Sequence, residues 1–231
     1  MKTVLITGAN RGLGLEHARR FAARGLRVFA TARVPALAAD LQALAAAHGP
    51  AFTLLPYDAL DPAAPAQLCR ALADTPLDLL LANAGAMGTA SQSFGSVDVE
   101  AALQLVRINA LAPLKLLEAL AGNVARSQRK LVALQSSLMG SIGDNHAGGY
   151  YGYRVSKGAL NMVARGASVE LRSRAVIVVA LHPGWVRTRM GGEQAPVSVQ
   201  QSVEGQQSLL DRLRLADSGG FFNYDGTRLP W

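Results

Sequence analysis

Short apolar runs alternate with longer stretches of helical period from one end of the chain to the other. The runs are Lys2–Ile6, Arg27–Ala32, Phe52–Leu55, Leu77–Ala82, Lys130–Gln135, Val176–Leu181 and a short one at Phe221-Phe222. They are apolar almost throughout and do not alternate with polar residues, the pattern of parallel strands covered on both faces. Between them, helical stretches are expected to begin near Leu13, Ala36, Ala63, Val97, Ala112 and Tyr151. Strand–helix alternation of this kind requires right-handed crossovers and gives an α/β fold with a doubly wound, mostly parallel sheet of seven strands and helices on both faces.

The first helix shows the pattern in detail. Leu15, Ala18, Phe21 and Ala22 form an apolar stripe, Gly25 follows as a C-terminal cap, and Arg19, Arg20 and Arg24 fall on the polar, solvated face. The segments Leu111–Leu120 and Val155–Leu171 are apolar nearly all the way round, so burial on more than one side is expected, with a second copy of the chain covering the outer side. That predicts a homodimer or homotetramer. The Ala36–Ala47 stretch reads as a plain helix, and residues 184–198, with Gly191, Gly192 and Pro196, read as a surface loop or lid. No repeat or linker divides the chain, so residues 1–231 are expected to form one domain.

Composition narrows the class. Half of the 231 residues are hydrophobic and 17% are charged, enough for a core burying about 70% of the unfolded surface. The lone cysteine, Cys69, lies in an apolar-periodic stretch and reads as a core thiol, consistent with a reducing cytoplasm. The run at Met1–Ile6 is too short for a signal-peptide core, and no apolar stretch reaches the ~20 residues of a spanning helix. A soluble cytoplasmic protein with no membrane partner is expected. The net charge of +7 raises the question of nucleic acid, but the arginines are scattered without interleaved aromatics, so no nucleic-acid partner is expected. His17, His48, His146 and His182 do not cluster, and no metal site is predicted; at His182, before Pro183, a structural hydrogen bond is the favoured role.

The chemistry begins at the turn after the first run, Thr7-Gly8-Ala9-Asn10-Arg11-Gly12-Leu13-Gly14, which leads directly into a helix. Glycines there let the backbone approach a pyrophosphate, and the helix N-terminus turns free N–H groups and the positive end of its dipole toward it. In this strand–turn–helix context the motif predicts a Rossmann-type dinucleotide site. An acid about 20 residues on would bind a ribose 2′-hydroxyl. Here the second strand ends Ala30-Thr31-Ala32-Arg33, with no acid until Asp40. A guanidinium at Arg33, with Arg11 as a second candidate, attracts a 2′-phosphate and predicts NADP(H) over NAD(H). Asp58 can accept from the adenine amine or serve as a turn residue. In Asn83-Ala84-Gly85 the small residues admit the adenine ribose, while Asn83 either contacts it or braces neighbouring strands.

Tyr153 and Lys157 stand four apart at the start of a helix and share a face. One cation about 5 Å from the phenol, at an effective dielectric of ~20, favours the phenolate by roughly 3 kcal/mol, about 2 pKa units, making Tyr153 a general acid/base at neutral pH. A serine at the end of the fifth strand, in Ser136-Ser137-Leu138-Met139-Gly140, lies at the sheet edge where such folds bind ligands.

These motifs together resemble the short-chain dehydrogenase/reductase family along essentially the whole chain: Thr7–Gly14, Asn83-Ala84-Gly85, Ser137, Tyr153 with Lys157, Pro183-Gly184 and Thr188, with Asn109 matching the family's catalytic asparagine. The segment Gly220–Gly226 and the ending Leu229-Pro230-Trp231 resemble the C-factor-like and sniffer-like carbonyl reductase branch. The resemblance implies that Tyr153 exchanges a proton with a carbonyl or alcohol oxygen, and that Lys157 tunes it and holds the nicotinamide ribose. It further implies that Ser137 polarises the carbonyl, that Asn109 positions a relay water, and that Pro183, Gly184, Val186 and Thr188 line the nicotinamide. Met139, Ile142, Tyr150, Trp185 and Met190 are expected either to wall a substrate pocket or to cover the core edge. Two departures stand out. Position 82 is Ala, where the family often has Asn, and the stretch from Ser137 to Tyr153 is long and holds five glycines, which leaves Ser136 and Ser141 as alternative positions for the hydroxyl. A dinucleotide-binding regulatory or signalling protein on the same fold is the competing reading, and non-redox chemistry on this scaffold a third.

Overall fold

A computed structural model describes residues 1–88 and 91–231. Among the described residues the strands are β1 (Thr3–Ile6), β2 (Arg27–Ala32), β3 (Phe52–Pro56), β4 (Leu79–Ala82), β5 (Leu131–Gln135), β6 (Ile177–His182) and β7 (Phe221–Asn223). They form one sheet in the order β3-β2-β1-β4-β5-β6-β7, every pair parallel. The α-helices are α1 (Gly12–Ala23), α2 (Ala39–His48), α3 (Ala64–Leu72), α4 (Val99–Val106), α5 (Ala112–Ala125), α6 (Tyr151–Glu170) and α7 (Val199–Arg212). Val4 and Ile6 of β1 turn toward one core, which also takes Phe21 of α1, Leu41 of α2 and Leu210 of α7. Leu5 turns toward the other, with Leu68 of α3, Leu120 of α5 and Leu160 of α6. Helices on both faces are why the strands are apolar throughout.

Several expectations change. The Ala36–Ala47 stretch is not one helix: a 3-10 turn at Pro35–Leu37 precedes α2, and Ala38 between them leaves helical geometry. Lys130 stands outside β5 with a left-handed φ of 51°. Cys69 is half-buried, packed against the second core rather than inside it. Helix α5 has one apolar face only, since Lys115 and Glu118 pair on its exposed side, whereas α6 exposes Val155, Met162 and Val169. Helix α7 had no counterpart in the apolar pattern, because it buries Ser202, Gln206 and Gln207 beside Val203, Leu209 and Leu210. Its usable signal is Ser198, whose hydroxyl caps the helix by accepting from the Gln201 N–H at 3.1 Å. Arg20 and Arg24 are not simply solvated; they reach Glu204 and Asp211 across the gap to α7.

Order along the sheet reverses at β1 and β4, and the crevice beyond their C-terminal ends is where a doubly wound sheet receives a ligand.

Candidate active site

The glycine turn is built as its sequence demands. Gly8 and Gly12 have φ of 64° and 54°, in the left-handed region that favours glycine. A Cβ on Gly14 would come within 2.6 Å of Asn83 Nδ2, so only glycine lets α1 start this close to β4. Asn83 is the brace: its Nδ2 donates to the Thr7 and Gly8 carbonyls at 3.0 and 3.1 Å. The Thr7 hydroxyl in turn accepts from the Asn83 and Ala84 N–H groups, each at 3.1 Å. Of the two roles open to Asn83, its side chain is committed to bracing, and Ala84 and Gly85 form the close-approach backbone. Asn10, Leu13 and Val186 flank this cradle; Asn10 is exposed and Val186 buried. Asp58, half-buried beyond β3, accepts from the Leu60 N–H at 3.0 Å and so also serves its own turn.

Arg11 and Arg33 are both exposed at this edge. The Arg11 guanidinium holds its proton less tightly than usual, first because of partial burial and then because of the positive charges of Arg189 and Arg33. Three arginines therefore converge beside the glycine turn. Arg189, contributed by the turn after β6, is not visible to a reading confined to the residues near the glycines.

At the other side of the crevice, a 3-10 turn at Leu138–Gly140 lies against α6. A Cβ on Gly140 would meet Lys157 backbone carbon at 2.6 Å, which is why a glycine follows the serine at this spacing. The turn separates the three hydroxyls. Ser136 is committed to Asn161 at 2.6 Å, and Ser141 donates to the Trp231 carbonyl at 3.2 Å. The Ser137 hydroxyl accepts the Met139 N–H at 3.2 Å and lies on the side of the Tyr153 phenol, whose ionised form it favours. Among the three, Ser137 is the one facing Tyr153.

Tyr153 is buried in the first turn of α6, where Gln92 satisfies free N–H groups: its carbonyl accepts from Tyr151 N–H at 3.0 Å and its Oε1 from Tyr153 N–H at 2.7 Å. Gln92 carries no motif and was not anticipated. Burial pushes the phenol above its usual value, and the neighbouring Ser137 hydroxyl pulls it partly back. The expected depression by Lys157 omitted desolvation, which dominates here. The Lys157 Nζ lies 5.8 Å from the Tyr153 ring centre and donates to the Gln135 carbonyl at 2.7 Å. Complete burial pushes that ammonium down to about 8.

Asn109 sits in a π-helical turn, Arg107–Leu111, linking α4 to α5. Such turns are frequent at functional sites. Its side chain is wholly buried, donating to the Ala86 carbonyl at 2.7 Å and Ser156 hydroxyl at 2.9 Å and accepting from the Ala86 N–H at 2.8 Å. It locks the Asn83–Ala86 strand exit to α6, and its side chain is fully engaged in that task.

Pro183 and Gly184 follow β6, and a polar chain in α7 fixes them: the Gln206 amide donates to Ser202 at 3.0 Å, and Ser202 donates to the Pro183 carbonyl at 2.6 Å. Thr188 stands over the glycine turn, its methyl 3.7 Å from the point a Cβ on Gly12 would occupy. His182 does not make the expected hydrogen bond through Nδ1, which is buried without a partner, and burial pushes the ring down to about 4. Ile142, Tyr150, Trp185 and Met190 are exposed around this edge and Met139 is half-buried, so the first four do not serve as cover for a sealed core. Among the described residues, no group of His, Cys, Asp and Glu could hold a metal.

Comparison with known proteins places this arrangement. The family model for short chain dehydrogenase matches residues 2–197. The chain is a short-chain dehydrogenase. A relative of this short-chain dehydrogenase, the C-signal protein of Myxococcus xanthus, is 42% identical over 156 residues, 68% of this chain and 93% of the relative. The carbonyl reductase Sniffer of D. melanogaster superposes with a TM-score of 0.94 at 34% identity, both chains covered in full. The NADPH-bound carbonyl reductase from chicken fatty liver gives 0.92 at 34% identity, covering 100% of this chain and 99% of the other. These two solved structures, which this short-chain dehydrogenase resembles along its whole length, are thus carbonyl reductases.

Proposed function

We propose that this short-chain dehydrogenase is an NADP(H)-dependent carbonyl reductase, moving a hydride between the nicotinamide and a small carbonyl or alcohol substrate. The observation that carries the reading is the buried Ser137–Tyr153 hydroxyl pair, with Lys157 one turn on, across the crevice from a glycine cradle. The residues fit a dinucleotide: the cradle admits backbone close to a pyrophosphate, and Arg11 and Arg33 offer cations to a 2′-phosphate with no ion pair between them and any carboxylate among the described residues.

When bound, the dinucleotide supplies or takes the hydride. The chain supplies the rest. Ser137 donates to the substrate oxygen and stabilises charge developing there. Tyr153 donates its proton to that oxygen during reduction. A phenol is protonated at neutral pH and so can donate. Because burial holds it above its ordinary value, giving up the proton depends on a cation that stabilises the phenolate, and the reverse reaction, needing the phenolate, gains as pH rises. Lys157, still mostly cationic at pH 7, stabilises the phenolate left behind and is placed to hold the nicotinamide ribose. Asn109 acts as a positioning residue, fixing α6 through Ser156. Pro183, Gly184, Val186 and Thr188 border the nicotinamide, and Met139, Ile142, Tyr150, Trp185 and Met190 form an apolar rim for the substrate.

The exposed stripe Val155, Met162 and Val169, at seven-residue spacing on α6, supports a homodimer through this face, and α4, which packs against α6, exposes Val99 and Leu103 as well. A purely signalling role is disfavoured, because a binding module has no use for the phenol–ammonium pair.

The test is substrate-dependent NADPH oxidation across a carbonyl panel, with fluorescence titration of both cofactors. Tyr153→Phe should abolish turnover and still bind NADPH, and Arg33→Ala should erase a preference for NADPH of ~30-fold or more. Turnover surviving in Tyr153→Phe would refute the assignment of the proton donor. Binding without turnover on any carbonyl would favour the signalling reading.

A further inference from the structure

We propose that Arg189, carried by the turn after β6, binds a phosphoryl group of the dinucleotide together with Arg11, tying the 184–198 segment to the glycine turn whenever cofactor is present. The inference rests on the NADP(H) reading above. The geometry starts at Thr188, whose methyl lies 3.7 Å from the point a Cβ on Gly12 would occupy, so the two turns are near neighbours and the next residue on one side and the preceding residue on the other are Arg189 and Arg11. The turn that presents Arg189 is closed by its own bonds: the Thr188 hydroxyl accepts from Gly191 N–H at 3.1 Å, and the Thr188 carbonyl from Gly192 N–H at 2.9 Å. A bridge between Val186 and Val197 closes the loop behind it.

Charge distinguishes Arg189 from its neighbours. Arg187, two residues back, is consumed within the loop, donating to the Ala195 and Pro196 carbonyls. Arg19 and Arg20 on α1, and Arg24 just beyond its end, are matched by Glu16, Glu204 and Asp211. Arg11, Arg33 and Arg189 form no ion pair among the described residues, all three are exposed, and the charges of Arg189 and Arg33 both act on Arg11. Like charges gathered without a counter-ion repel one another, and a di- or polyanion relieves that repulsion. The 2′-phosphate and the pyrophosphate share this chemistry.

Titrations of NADPH, NADH and 2′,5′-ADP into wild type, Arg189→Ala and Arg189→Glu at low salt separate the two. Loss of one charge-assisted contact should weaken NADPH binding roughly ten-fold in Arg189→Ala and more in Arg189→Glu, with the salt dependence reduced. Equal weakening of NADPH and NADH assigns Arg189 to the pyrophosphate. Weakening of NADPH and 2′,5′-ADP alone assigns it to the 2′-phosphate. If wild type binds NADPH and Arg189→Ala binds all three ligands as tightly, the inference about Arg189 is overturned while the cofactor reading stands. If wild type binds no dinucleotide, both fall.

Discussion

Gly140→Ala should damage stability and catalysis together, through a single methyl group. That methyl would lie 2.6 Å from the Lys157 carbonyl carbon, 2.8 Å from its Cβ and 2.8 Å from its oxygen. Two of these are backbone atoms inside α6, which cannot swing aside. Ordinary contact begins near 3.4 Å, so the 3-10 turn must retreat by roughly 0.6–0.8 Å (3.4 − 2.8 to 3.4 − 2.6). Overpacking of this kind costs about 1–3 kcal/mol. At 2–4 °C per kcal/mol for a domain of this size, the melting temperature falls by ~2–12 °C. The same retreat carries Ser137 away from Tyr153, and a misplacement approaching 1 Å lowers kcat/KM by about 10- to 100-fold. Gly166→Ala is the control: it lies in the same helix with nothing within 4 Å of the new methyl, and replacing a mid-helix glycine should stabilise by about 1 kcal/mol. The assay is thermal denaturation alongside NADPH oxidation at saturating cofactor. A Gly140→Ala protein that melts within a degree of wild type and keeps its kcat/KM would refute the claim that this contact sets the distance between turn and helix.

Acid should loosen the fold through two buried imidazoles. His17 and His182 are pushed down to about 4 by burial, so the unfolded chain protonates first, and stability is lost as pH falls from about 6.5 through 4, by on the order of 3 kcal/mol for each ring. Melting curves across that range should flatten in His17→Gln; an unchanged slope would exclude that ring as the cause. Lys157 works in the opposite pH range: its folded value of about 8 lies below the unfolded ~10.4, so apo stability should rise between pH 8 and 10, and Lys157→Met should remove that rise. Asp78 binds the N–H groups of Lys2, Thr3 and Arg129, and Asp78→Ala should cost about 2–3 kcal/mol in urea denaturation, β1 fraying first. Analytical centrifugation should show dimer for wild type and monomer for Met162→Glu; monomer for wild type at micromolar concentration would count against the α6 interface.

The parts of the fold that follow a hydrophobic period could be read from the residues. Continuous apolar runs are visible because a strand covered on both faces can hold nothing else, and the glycine turn because close backbone approach excludes side chains. Helix α7 escaped for the converse reason: Ser202, Gln206 and Gln207 share its inner face with Val203, Leu209 and Leu210, so polar residues interrupt the apolar period. Gln92 bonds to Tyr153, and the charge of Arg189 bears on Arg11, across distances in sequence that no local pattern records. The Tyr153–Lys157 spacing gave the right pair of neighbours but the wrong sign for the phenol, since desolvation depends on the surrounding packing and not on the interval between two residues.

Strand β7 is only three residues long and ends the sheet, yet its outer rim is not left open. The chain doubles back after Gly226, so that Asn223 N–H donates to the Thr227 carbonyl and Leu229 N–H to the Phe221 carbonyl, both at 2.8 Å. A rim whose backbone groups are already paired offers no template on which another polypeptide could add a strand. At the opposite border, β3 ends in Pro56, which lacks the N–H a docking strand would need. Both borders of the sheet thus carry features that hinder rim-to-rim joining into ribbons, a safeguard against aggregation built from backbone alone.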